Sequence, residues 1–125
     1  MKLVIISLLA LAPSLAIADK AFNTGKGATW DCAKDPDVAI NHGKGTYTFK
    51  GACKTINLNG GESTIAIESV ESLNVNGGKN KITVDAVDSL NVNGADNTIT
   101  WKKGKSTDTP AVNTVGNGNK IGKAK

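Results

Sequence analysis

Leu73-Asn74-Val75-Asn76-Gly77-Gly78-Lys79-Asn80-Lys81-Ile82-Thr83-Val84 decides the fold, because the chain repeats its pattern 17 residues later. The second copy reads Leu90-Asn91-Val92-Asn93-Gly94-Ala95-Asp96-Asn97-Thr98-Ile99-Thr100-Trp101. One step upstream stand Ile56-Asn57-Leu58-Asn59-Gly60 and Ile65-Ala66-Ile67, and Val70 is answered by Val87. Within a unit the pattern has period two: Leu73 and Val75 point one way, Asn74 and Asn76 the other. A polar glycine turn follows, and Ile82 and Val84 then point inward around Thr83. β-Branched residues dominate and nothing recurs at helical spacing. A fixed period that keeps apolar residues in one phase means a unit stacked on itself, since no single unit can bury its own apolar side.

Two all-β topologies accommodate the pattern. In an antiparallel β-meander each Asn-Gly turn would close a hairpin. In a parallel β-helix-like solenoid each unit is one coil, and equivalent residues lie about 4.8 Å apart in neighbouring coils. A meander needs matching pattern but not matching identity, whereas stacking rewards the same residue at the same level, as in asparagine ladders. Asn57, Asn74 and Asn91 align, as do Asn59, Asn76 and Asn93. The expectation is therefore a short, single-domain β-solenoid of about five 17-residue coils, with the meander as the alternative. Degenerate copies flank the regular ones. Val38 to Gly43 and Tyr47-Thr48-Phe49 match the first clear copy after a shift of eighteen, and Val112 to Gly116 with Ile121 match the third after twenty-two. The five extra residues of that last step fall within Lys102 to Pro110.

The N-terminal end reads as an export signal over residues 1–18: Lys2, an apolar stretch from Leu3 to Ala12, and Ala16-Ile17-Ala18 before the expected cut. The apolar run is short for a bilayer span, and no cysteine follows the cut to carry a lipid. Residues 19–37 read as a lead-in or cap, and 38–125 as the repeat domain. Exported, periplasmic or secreted, is the expected location, with no transmembrane segment left after signal removal. In an oxidising compartment Cys32 and Cys53 pair by default, which would staple a domain too small for an ample core. The competing reading, a catalytic or metal-binding thiol, needs an activating histidine, and His42 is the only one.

The net charge is +4 and every cationic side chain is lysine. Specific phosphate and base recognition favours the arginine fork, so export without arginine argues against a nucleic-acid partner.

The recurring Val-x-Gly-x-x-Asn-x-Ile/Val element, in Val75 to Ile82, Val92 to Ile99 and loosely Thr114 to Ile121, resembles a bacterial family of exported or lipoprotein repeat domains with no assigned function. The resemblance runs from about Trp30 to Ile121. It implies an envelope location and a β-rich repeat fold, and it brings no catalytic residues. The chain departs from lipoprotein members in lacking a lipidation cysteine.

Four features carry candidate chemistry. Glu68, Glu71, Asp85 and Asp88 share one corner of adjacent coils, where carboxylates can hold calcium or cleave glycosidic bonds. The simpler expectation is an acidic turn beside Lys102 and Lys105 of the next coil, and no cofactor or metal is assigned. Phe49, Ile67, Val84 and Trp101 read as an inward ladder whose two end aromatics cap the core. Asn57, Asn59, Asn74, Asn76, Asn91 and Asn93 form an outward double ladder, able to match a repetitive surface. Thr48, Thr83 and Thr100 make a second file that Ala66 interrupts. Lys102, Lys103 and Lys105 open the period-breaking loop and are the candidate contact for an acidic protein or envelope polymer. The function expected is that of a non-enzymatic exported scaffold or binding module. The alternatives are a periplasmic inhibitor or immunity-type protein, and a surface- or polymer-adhering protein using the asparagines.

Overall fold

The computed structural model describes residues 20–125. The predicted export signal, residues 1–18, and Asp19 lie outside them. Nine strands follow in order: β1 (Lys20–Phe22), β2 (Ala28–Asp31), β3 (Asp37–Ile40), β4 (Thr46–Asn59), β5 (Thr64–Asn76), β6 (Lys81–Asn93), β7 (Thr98–Lys103), β8 (Ala111–Val115) and β9 (Lys120–Lys123). Every pairing is parallel. Ile65 lies beside Ile82, Leu73 beside Leu90 and Asn76 beside Asn93, one repeat apart along the whole of β5 and β6. The chain is a β-solenoid, and the hairpin meander is excluded.

Alternation along each strand makes the core. In β5 the buried positions are Ile65, Ile67, Val70, Leu73 and Val75, and their counterparts on β4 and β6 stack above and below them. One inward file runs Lys20, Val38, Ile56, Leu73, Leu90, Val112, which counts six turns where the sequence suggested about five. The additional turn comes from the stretch read as a lead-in, where β1 pairs with β3 and β2 with β4. The eighteen-residue step between the early copies has a local cause. Register shifts between Phe49 and Ala52, and Gly51 takes a positive φ of 79° there and donates its N–H to Glu68 Oε1 at 2.9 Å. One extra residue is bulged out, and the stack resumes.

Phe49 and Trp101 belong to the core, but neither ends it. Trp30 stacks outside Phe49, and Lys123 outside Trp101. The N-terminal cap is instead Phe22 with Trp30, whose ring centroids are 6.2 Å apart, with the Lys20 ammonium 4.7 Å from the Trp30 ring centre. The cap was missed because β2 carries few apolar residues beyond Trp30. Cys32 and Cys53 are joined by a disulfide, both 1% exposed, with Cα atoms 5.0 Å apart.

The glycine corner is built by backbone on backbone. Gly77 sits at φ 147°, and a methyl there would strike the carbonyl oxygen of Gly60 in the next coil. Two residues later Glu62, Lys79 and Asp96 all adopt φ 60° in the left-handed region. Non-glycine residues tolerate this only where the surrounding stack imposes it.

Candidate functional site

β4, β5, β6 and β8 turn the same flank outward, and the repeat decides what it presents. Its three files are Thr55, Ser72, Ser89, Ala111; then Asn57, Asn74, Asn91, Asn113; then Asn59, Asn76, Asn93, Val115. None of these twelve side chains is charged, although 21% of the chain is. The flank is an uncharged amide and hydroxyl face.

The amides are fixed by one another. In the central file Asn74 Nδ2 donates to Asn57 Oδ1 at 2.8 Å, Asn91 to Asn74 at 3.0 Å, and Asn113 to Asn91 at 3.1 Å. In the outer file Asn76 donates to Asn59 at 3.2 Å and Asn59 to Asn41 at 3.2 Å, and Asn41 donates to Asn23 at 2.9 Å. Every bond runs in the same direction, so the dipoles add along the stack. A primary amide has two N–H donors and two acceptor lone pairs. Members bonded on both sides, Asn41, Asn59, Asn74 and Asn91, spend one of each on the ladder and keep one donor and one acceptor. A shallow groove of about 400 Å³ runs over Asn57, Asn74, Asn76, Asn91 and Asn113, with Val115 at its end.

The predicted basic loop is placed differently from a free contact surface. Lys102 Nζ lies 3.3 Å from Asp85 Oδ1, and Lys105 Nζ 3.7 Å from Glu71 Oε2. Asp88 accepts from Ser106 N at 2.6 Å and Ser106 Oγ at 2.9 Å. The Ser106 backbone N–H holds the Asp88 carboxyl below its ordinary value, although desolvation works against it. Three of the four corner acids therefore bind the loop, and the fourth, Glu68, holds the bulge. Among the described residues no group of three His, Cys, Asp or Glu side chains is close enough to hold a metal ion. Lys103 is exposed and, among the described residues, has no ion pair.

The threonine file is Thr29, Thr48, Ala66, Thr83, Thr100, one member longer than the sequence indicated. Asn80 and Asn97, the asparagines of the recurring Val-x-Gly-x-x-Asn-x-Ile/Val element, are given no role by the sequence reading. They are 1% and 0% exposed, and they form an inner ladder at the glycine corner. Asn97 Oδ1 accepts from Asn80 N and Asn80 Nδ2, both at 3.0 Å, and Asn97 Nδ2 donates to Gly77 O at 2.9 Å. Their signal is the asparagine three residues after Gly77, Gly94 and Gly116, where the copy at Gly60 has Ser63. It is a folding element and not part of the outer face.

A family model described as a protein of unknown function (DUF3060) matches residues 70–118, the stretch that carries the two clearest corners. No curated protein and no solved structure matches the chain.

Proposed function

We propose that the protein is an exported, non-enzymatic binding module whose working surface is the uncharged amide face. Its ligand class is an extended, neutral polymer rich in hydroxyl or amide groups, such as an envelope polysaccharide. The observation that carries this reading is the regular array of unspent donors and acceptors on Asn57, Asn74, Asn91, Asn59, Asn76 and Asn93, the first five of which are held by ladder bonds. A rigid array loses little side-chain entropy on binding, and neutrality avoids desolvating charges. Export is supported by the signal-like segment at residues 1–18 and by the disulfide, and no described helix is long and apolar enough to cross a membrane.

Retention on insoluble neutral polysaccharide, with cellulose and chitin as probes, tests the reading. The wild type should be retained at high salt, because no ion pair is involved. Asn76→Glu with Asn93→Lys keeps a cross-strand partner but introduces charge, and should lower retention by about tenfold while leaving the melting temperature nearly unchanged. Equal retention of the variant, or no retention on any neutral polymer, refutes the proposal.

One observation favours a second reading, the inhibitor type. Residues 105–109 are exposed beside Lys103, next to a cleft of about 570 Å³. The engagement of Lys102 and Lys105 by the protein's own acids weighs against it.

A further inference from the structure

The last turn differs from the others in what it leaves uncovered. Among the described residues β8 pairs only with β6, and β9 only with β7, so each keeps one open edge. All five residues of β8 are exposed, and Val112 at 40% and Val115 at 67% are the exposed large apolar side chains of the described chain. In the inward files Val112 lies beyond Leu90 and Ile121 beyond Ile99. Both are half-covered core positions awaiting a further layer. The rim is basic: residues 111–125 carry Lys120, Lys123 and Lys125 and no acidic side chain. Lys103 and Lys123 line the adjoining cleft, with Asp108 as its acid.

At the opposite end β1 and β2 also keep one open edge each among the described residues, but Phe22 and Trp30 pack against the core there. Lys20 occupies an inward file there, and its ammonium lies 5.2 Å from the Phe22 ring centre and 4.7 Å from that of Trp30. A second copy stacking head to tail would bury that ammonium between coils without a counter-ion, which costs more than the apolar contact returns. A lysine at the first edge is a known device against such stacking.

We propose that the last turn is a strand-addition site for a partner protein, and that it takes an extended segment alternating apolar with acidic residues. The segment hydrogen-bonds along the open edges of β8 and β9. Its inward side chains cover Val112 and Ile121, and its carboxylates meet Lys120, Lys123 and Lys125. Backbone bonds supply affinity without regard to sequence, while the apolar slots and the basic rim select the occupant. This site adjoins the amide face, sharing β8 with it through Asn113 and Val115, but does not depend on polymer binding.

Two synthetic peptides of about seven residues, valine alternating with glutamate and valine alternating with lysine, serve as probes. The glutamate peptide should bind, weaken as salt is raised, and slow amide hydrogen exchange within residues 112–115 and 120–123. The lysine peptide should not bind. Lys120→Glu with Lys123→Glu should weaken the glutamate peptide by about tenfold and admit the lysine peptide. If that variant unfolds, the contrast between the two peptides on the wild type still decides. Equal behaviour of the two peptides, failure of both, or protection confined to other strands overturns the proposal. So does protection of residues 112–115 without peptide that rises with protein concentration, since it assigns the edge to a second copy.

Discussion

Single residues at the glycine corner carry more of the stability than their polarity suggests. Asn97 satisfies two donors of buried Asn80 and the carbonyl of half-buried Gly77. Asn97→Leu leaves those groups unpaired, and should cost about 3 kcal/mol in a denaturant titration. Asn76→Ala, on the exposed file, should cost under about 1 kcal/mol by the same measure. Comparable losses at the two sites would contradict the division into inner and outer ladders. Lys79 offers the converse case. Its φ of 60° strains a lysine, whereas asparagine adopts that region with less penalty. Lys79→Asn should therefore stabilise by about 0.5 kcal/mol, and a clear loss would show that the lysine stem has packing of its own.

At the scale of elements, the regular strands were legible because identity, not just polarity, repeats between coils. Leu73/Leu90 and Asn76/Asn93 fixed both the inward phase and the parallel register. The first turn was not legible, since β1 puts Lys20 into an inward file and β2 offers Ala28 where later coils have Tyr47 and Ile65. The alignment of the outer asparagines is visible in the sequence, but the lack of charge on that flank emerges only when Ser72 and Ser89 are seen in the neighbouring file. The loop is legible as an interruption and its Lys102 and Lys105 as neighbours of the acidic turn, but the Asp88–Ser106 bonds that complete the clasp are not, because they depend on which corner the insertion crosses. That clasp has a pH dependence with a definite sign. Asp88 has a lowered pKa in the folded state, so its contribution is present above the ordinary carboxylate value and is lost as pH falls through the lowered one. Amide exchange at Ser106 should accelerate as pH drops below about 4, relative to the intrinsic rate. Asp88→Asn should give the same acceleration at neutral pH. An unchanged Ser106 amide in the variant would separate the loop from the acid.

On the scale of the whole molecule, the stack is quasi-one-dimensional: each coil is supported by its neighbours, and the end coils have support on one side only. The disulfide sits where that support is weakest, tying the first turn to the next coil. Closing its 21-residue loop stabilises by about 3 kcal/mol in the chain-entropy model. Reduction should therefore lower the melting temperature by on the order of 10 °C, with exchange rising first in β1 and β2. Uniform loosening of all coils would instead indicate a single cooperative unit. The far end has no such staple, which is consistent with a coil that is completed by a partner.

Side-chain amide NMR tests the central claim most directly, because the outer and inner asparagines report separately. On titration with a soluble neutral oligosaccharide, the Nδ2–H resonances of Asn74, Asn76, Asn91 and Asn93 should shift together and saturably. Those of buried Asn80 and Asn97 should stay in place. Shifts confined to Lys103 through Asp108, or none on the outer asparagines at saturating ligand, would contradict the account.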